Sequence, residues 1–265
     1  MLGRYALINH APNIGRNLEF ETMSNMFTVT VNARALKAAS MCASSEETRY
    51  YLKGVFVESP ESGDIILTAT DGHRLAVLCH KPAPDLQHDA GAWSVIVPLH
   101  MIDKLKIGKR APDFATLGMT YDNEKKTVKL TLSYDGLSIV ADAVDGTYPN
   151  ARAVVRGAFK PGDDAGRLAH FNPAYVAAFG KMKELLTGNK PQVLQIHHNG
   201  PSPAVVDFLG VPETADGLRG FGVLMPCRSP ENVLSALTAP PAWYDAPAPA
   251  ASPCAADAAT DAAAA

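Results

Sequence analysis

Asp71 and His73 stand two residues apart in the stretch TATDGHRLAV, close enough to suggest an acid/base pair. On a strand that spacing turns both side chains to one face, and no nucleophile completes a hydrolytic set around them. His197 and His198 are adjacent, so a strand points them to opposite sides, poorly placed to share a metal. Cys42, Cys79, Cys227 and Cys254 form no C-x-x-C pair, which argues against a zinc site or a disulfide framework and for reduced thiols. No G-x-x-x-x-G-K-S/T phosphate loop is present, so the chain is not expected to hydrolyse a nucleotide. Taken together, these residues predict no catalytic group, no metal and no cofactor.

The elements that hold them belong to a folded chain. At 265 residues and 47% apolar composition, one or two domains with a sizeable core are expected. No run of eighteen apolar residues occurs, and the first ten residues lack the order of a secretory signal, so the expected address is the cytoplasm, without membrane association. A formal charge of -3 supplies no global basic field. Nucleic-acid contact would then rest on a local basic surface.

One pattern occurs three times: a short strand, a capping residue, a helix carrying lysines, then three strands separated by turn residues. The first copy opens on Phe27, Val29 and Val31, starts a helix over 33–43 through Asn32, and continues in strands near 50–58, 65–70 and 74–79. The second opens on SVIV, enters its helix through Pro98, runs through Ile102 and Leu105, and continues near 114–121, 127–134 and 137–143. The third opens over 168–171, starts a helix at Asn172 and Pro173 with Tyr175, Phe179, Met182 and Leu186 at helical spacing, and continues near 192–197, 204–209 and 220–225. Gly and Asp at the junctions signal hairpins, so the sheets should be antiparallel and the class α+β, with helices on one face. The division expected is an N-terminal extension over 1–26, a two-module domain over 27–157, a one-module half-domain over 165–229, and a disordered Ala/Pro-rich tail over 230–265.

The segment TRYYLKGVFVE, followed by ILTATDGHRLAV, resembles the opening of the middle domain of the bacterial sliding clamp, the β subunit of DNA polymerase III. AVDGTYPNARAVV is similar to the segment that closes that domain, and GFGVLMPCR to the family's C-terminal strand. The resemblance implies a DNA-clamp-like fold of β-α-β-β-β modules. It also implies a non-catalytic ring around duplex DNA that tethers the replicative polymerase.

The same resemblance implies a hydrophobic pocket for short motifs of the polymerase, the clamp loader and other proteins. Its matching positions are Leu52, Thr70, Gly72, His73, Arg74, Leu75, Pro149, Val154, Val223, Leu224, Met225, Pro226 and Arg228. Their apolar members suit a buried anchor, and Arg74 and Arg228 suit rim donors. For DNA, Arg34 and Lys37 stand one turn apart on the first helix, Lys104 is on the second and Lys181 on the third, where cations lining a pore would meet phosphates. Arg49, Tyr50 and Tyr51 match a loop with which the family touches DNA, next to the opposing charges of Glu46 and Glu47.

The family has six modules, and three are legible here. The absent ones include one expected between residues 155 and 168. An unpaired module exposes a sheet edge, which predicts a homo-oligomer. The alternative function is a non-encircling adaptor or decoy that binds clamp-binding motifs without being loaded on DNA.

Overall fold

A computed structural model describes residues 27–60, 62–82, 92–108, 112–122, 124, 126–160, 169–209 and 217–228. The extension over 1–26, residue 229 and the tail over 230–265 with Cys254 lie outside these residues. Residues Met1–Cys227 form one compact unit and Arg228–Ala265 a second, of which only Arg228 is described.

The fold is α+β with wholly antiparallel sheets. Strand β1 (Phe27–Asn32) leads into helix α1 (Ala33–Ser40), then β2 (Gly54–Ser59), β3 (Ile65–Thr70) and β4 (Arg74–His80). The second module is β5 (Trp93–Pro98), a single turn α2 (Leu99–Ile102), β6 (Phe114–Asp122), β7 (Thr127–Tyr134) and β8 (Leu137–Asp142). Helix α3 (Ala151–Ala158) follows, then α4 (Pro173–Thr187), β9 (Gln195–Asn199), β10 (Ser202–Asp207) and β11 (Arg219–Leu224).

The strands form two sheets, β1-β6-β7-β8 and β5-β2-β3-β4-β11-β10-β9. β4 and β11 pair from Arg219↔Cys79 to Leu224↔Arg74, which makes the third module continuous with the first.

Local chemistry explains the helix starts. The Asn32 side chain accepts from the Ala35 N–H, and the Asn172 side chain accepts from the Ala174 N–H ahead of Pro173. Ala33, Leu36 and Ala39 are buried at helical spacing, so α1 lies in the core rather than over it. The main core joins Leu36, Leu67, Leu78, Met101, Leu117, Leu132, Phe179 and Phe208 across both sheets.

Four expectations change. Residues 50–52 are not strand: Glu47–Leu52 is a 3-10 helix, and β2 begins at Gly54, where a Cβ would sit 2.6 Å from the Val97 carbonyl oxygen. α1 and α2 end earlier than expected, although Leu105 beyond α2 is still buried. Residues 169–171 are not a strand. Finally, α3 packs on β10 and lies on the sheet face opposite α1 and α4, the exception to a one-faced arrangement of helices.

Cys42 is fully buried beside Met182, its thiol 3.8 Å from the Met182 Sδ, and burial pushes that thiol up to about 12. Cys227 is exposed. A thiol reagent at pH 8 should label Cys227 at least about tenfold faster than Cys42, read by mass spectrometry of the digested native protein. Comparable rates would contradict this packing.

Candidate functional site

The site grows from the β3–β4 hairpin. Thr70 Oγ1 donates to the Arg74 carbonyl at 2.8 Å and accepts from the Gly72 N–H at 3.0 Å. Asp71 Oδ1 accepts the N–H groups of His73 and Arg74, both at 2.9 Å, while Oδ2 takes Arg74 Nε at 2.9 Å. Gly72 sits at φ 92°, a backbone region that side chains with a Cβ strongly disfavour. The carboxylate of Asp71 is thus committed to shaping the turn, which accounts for its spacing from His73 without any acid/base chemistry.

Four neighbours hold this tip. Tyr148 Oη accepts the Thr70 N–H at 3.0 Å, and its ring stacks on Phe56 at 5.0 Å. Arg49 Nη1 donates to the Asp71 carbonyl at 3.3 Å. From the third module, Tyr175 of α4 stacks against His73 at 6.0 Å, with the Arg74 guanidinium 5.0 Å from its ring centre. The Met225 N–H donates to the His73 carbonyl at 2.8 Å. Burial raises the Tyr148 phenol pKa, partly countered by the Thr70 N–H, so it stays protonated at neutral pH. Tyr148→Phe removes the acceptor of the Thr70 N–H and should lower stability by about 1–2 kcal/mol in urea unfolding. An unchanged midpoint would show that water replaces the phenol at no cost.

Beside the tip runs an apolar row. Val205, Val223 and Leu75 face one another across β10, β11 and β4, and Val77 and Phe221 form the next rank. Ala151, Val155 and Ala158, at i, i+4 and i+7 of α3, cover this row, and Phe159 meets Phe221 edge to face at 5.3 Å. Val154, Phe159 and Met225 stay 45%, 58% and 39% exposed. α3 therefore forms an apolar wall with open side chains at its border.

The expected pocket residues do not all converge on one place, and Val154 stands exposed on α3. Thr70, Gly72, His73, Arg74, Leu75, Val223 and Met225 belong to the tip and the row. Leu52 lies in a separate cluster with Ile96 and Tyr148, reached through the Tyr148–Thr70 bond, and Pro149 follows Tyr148 at the surface. Leu224 points the other way, fully buried in the main core, because adjacent strand residues alternate faces. Pro226 is half-buried, and Arg228 is exposed in the second unit. Tyr175, Val155 and Val205 were not singled out from sequence for this site. Each carries a core-like periodicity signal, which hides a surface role.

The cations divide as well. Arg34 Nε pairs with Asp113 at 3.2 Å and its Nη2 donates to the Gly108 carbonyl, while Lys37 Nζ reaches Asp103 at 3.1 Å and the Ile102 carbonyl at the end of α2. Arg49 pairs with Glu46 at 3.3 Å beside the exposed Tyr50 and its edge-to-face partner Tyr51. Lys104 and Lys181 are exposed, with no ion pair among the described residues. His197 and His198 are exposed on β9, and the described residues hold no cluster of three or more potential metal ligands.

Residues 28–150 match the family model described as the DNA polymerase III beta subunit, central domain. The beta sliding clamps of two Caulobacter vibrioides strains, NA1000 / CB15N and ATCC 19089 / CIP 103742 / CB 15, are each 30% identical over 165 residues. The chain is a homologue of the beta sliding clamp. The matched segment is 60% of this homologue and 41% of each Caulobacter clamp, so it spans less than half the length of those relatives.

In fold, the clamp homologue is similar to the Caulobacter crescentus beta sliding clamp, with a TM-score of 0.51 at 22% identity over 80% of this chain and 68% of that one. It is also similar to the Borrelia burgdorferi DNA polymerase III subunit beta, with a TM-score of 0.52 at 13% identity over 80% and 67%. The family to which it is related is non-catalytic, in keeping with the structural use of Asp71. No helix among the described residues of the clamp homologue is long and apolar enough to cross a membrane.

Proposed function

We propose that this chain is a sliding-clamp-like processivity factor of the cytoplasm. It encircles duplex DNA as a homo-oligomer and tethers the replicative polymerase, with loading by a clamp loader. Short motifs of these and other clamp-binding proteins would seat on the exposed apolar border of the row that α3 covers, where Val154, Phe159 and Met225 stay open beside the β3–β4 tip. One observation carries this reading: the tip is fixed from both sides, by Tyr148 of the middle-domain segment and by Tyr175 and Met225 of the third module. A prearranged rim of that kind lowers the ordering cost of binding a flexible peptide.

Phosphate contact would come from Lys104, Lys181, Arg34, Lys37, Arg49, Tyr50 and Tyr51. The ion pair of Arg49 with Glu46 is exposed, contributes only about 0–1 kcal/mol and yields to a phosphate, whereas the side chains of Arg34 and Lys37 are only 15% and 24% exposed and would reach a phosphate only by leaving their partners.

The same pairs are the specific observation behind the second reading, a non-encircling adaptor or decoy whose basic side chains are spent within the chain. The two readings separate on nicked circular DNA incubated with the chain and a clamp loader. A topologically linked ring is retained on the circle and slides off once the DNA is linearised. Retention indifferent to linearisation, or no retention, removes the encircling reading and leaves the adaptor.

A further inference from the structure

The strand order shows how two modules of this chain close upon each other. β1, which opens the first module, pairs with β6 of the second from Phe27↔Met119 to Asn32↔Phe114. β5, which opens the second, pairs with β2 of the first from Gly54↔Pro98 to Ser59↔Trp93. Each module thus lends its opening strand to the other, and neither β2 nor β6 is left with a bare outer edge.

The third module repeats the same frame without the exchange. In the second module, Ile96, three residues before α2, accepts the Val144 N–H from the segment leaving β8 at 3.2 Å. In the third, His170, three residues before α4, accepts the Cys227 N–H from the segment leaving β11 at 2.7 Å. His170 therefore holds the place of Ile96. Ile96, however, lies opposite Phe56 of β2, whereas residues 169–172 have no facing strand among the described residues. β9, which holds the place of β2, ends the seven-stranded sheet with no outer neighbour among those residues.

Among the described residues, that edge lacks the usual protection. Its sequence, QIHHN, contains no lysine, carboxylate or proline, and Val193 beside it is 70% exposed.

We infer that the third module closes against a second copy of this chain, with residues 169–172 of each copy lying along β9 of the other across a twofold axis. The contact is self-complementary, as a twofold interface requires. It repeats between copies the exchange that β1 and β5 make within one copy, and it continues both seven-stranded sheets by one strand. The inference rests on the homo-oligomer of the proposed function and names its contact; it needs neither DNA nor a peptide, so a strictly monomeric chain would remove the encircling ring and leave the peptide-binding reading standing.

Sedimentation velocity of the full chain between 1 and 100 μM tests it. A species of twice the 28.1 kDa chain mass is expected to grow with concentration, and a single 28.1 kDa species at 100 μM would overturn it. To locate the contact, His198→Pro places a proline on β9 at an exposed position facing the bulge between Ser202 and Val205, where the ladder to β10 is already irregular. This variant should weaken the dimer at least about tenfold, with an unchanged melting curve at a concentration low enough that both proteins are monomeric, and an undiminished dimer would overturn the assignment. Should the variant not fold, hydrogen exchange on the unaltered chain decides. Amides at 169–171 and 195–199 gain protection with concentration if the inference holds, and protection independent of concentration would overturn it.

Discussion

Phe179→Ala is expected to lower the unfolding free energy by about 3–5 kcal/mol, the range for removing a fully buried phenylalanine. The ring is completely buried on α4, stacks on Phe208 at 5.8 Å, and joins the third module to the core shared with α1. It lies so close to β11 that a Cβ at Gly222 would come within 2.3 Å of it. Gly222→Ala alone should therefore cost about 1–3 kcal/mol by overpacking. In the Phe179→Ala background that cost should largely vanish, because the obstructing ring is gone. Urea unfolding of the four proteins measures the coupling. Strictly additive losses would contradict the close approach of α4 to β11, and with it the joining of the third module to the first.

The second large effect falls on recognition. Met225 and Val154 border the apolar row, and both are well exposed, so glutamate at either position does little to the fold. In the double variant Val154→Glu/Met225→Glu, a partner's apolar anchor would meet two carboxylates. Loss of a central anchor contact typically costs about 2–4 kcal/mol, a fall in affinity of roughly 30-fold to several hundred-fold. Calorimetric titration with a short peptide carrying a Leu–Phe anchor should show this drop, with the melting temperature essentially unchanged. Equal affinity for the variant and the unaltered chain would place peptide binding elsewhere.

Much of this architecture is legible in the sequence because its signals are local. Alternating apolar residues in FTVTVN, the caps Asn32 and Asn172, and the turns at Asp64 and Gly136 correspond to observed elements, whereas the Gly-Asp signal at 144–146 leads into helix α3 and not into a hairpin. The exchange of β1 and β5 is not legible, since period-two alternation says which face a residue takes and nothing about which strand lies alongside. The 3-10 helix at Glu47–Leu52 escapes for a related reason. Its Tyr-Tyr-Leu run has β-type composition, and the close approach of Gly54 to Val97 that starts β2 is a tertiary contact.

The candidate site divides along the same line. The Asp71–Arg74 turn is encoded within five residues by an Asx-type pattern and a glycine at positive φ, so the motif leads directly to it. Leu224 shows the limit of motif transfer: it stands next to Val223 in sequence, yet alternation sends it to the other side of the sheet. Tyr175 was legible only as one member of a helical apolar stripe. Its position over His73 and Arg74 depends on β11 pairing with β4, which brings two modules together from distant parts of the chain.

The central claim is that the exposed apolar border of the α3-covered row, at Val154, Phe159 and Met225 beside the β3–β4 tip, receives a short linear motif. Fluorescence anisotropy of a labelled Leu–Phe peptide, titrated with the intact chain, tests it most directly. The account predicts saturable binding at one site per chain with a Kd on the order of micromolar, about 8 kcal/mol, displaced by excess unlabelled peptide. Anisotropy that stays flat up to 100 μM chain would contradict it.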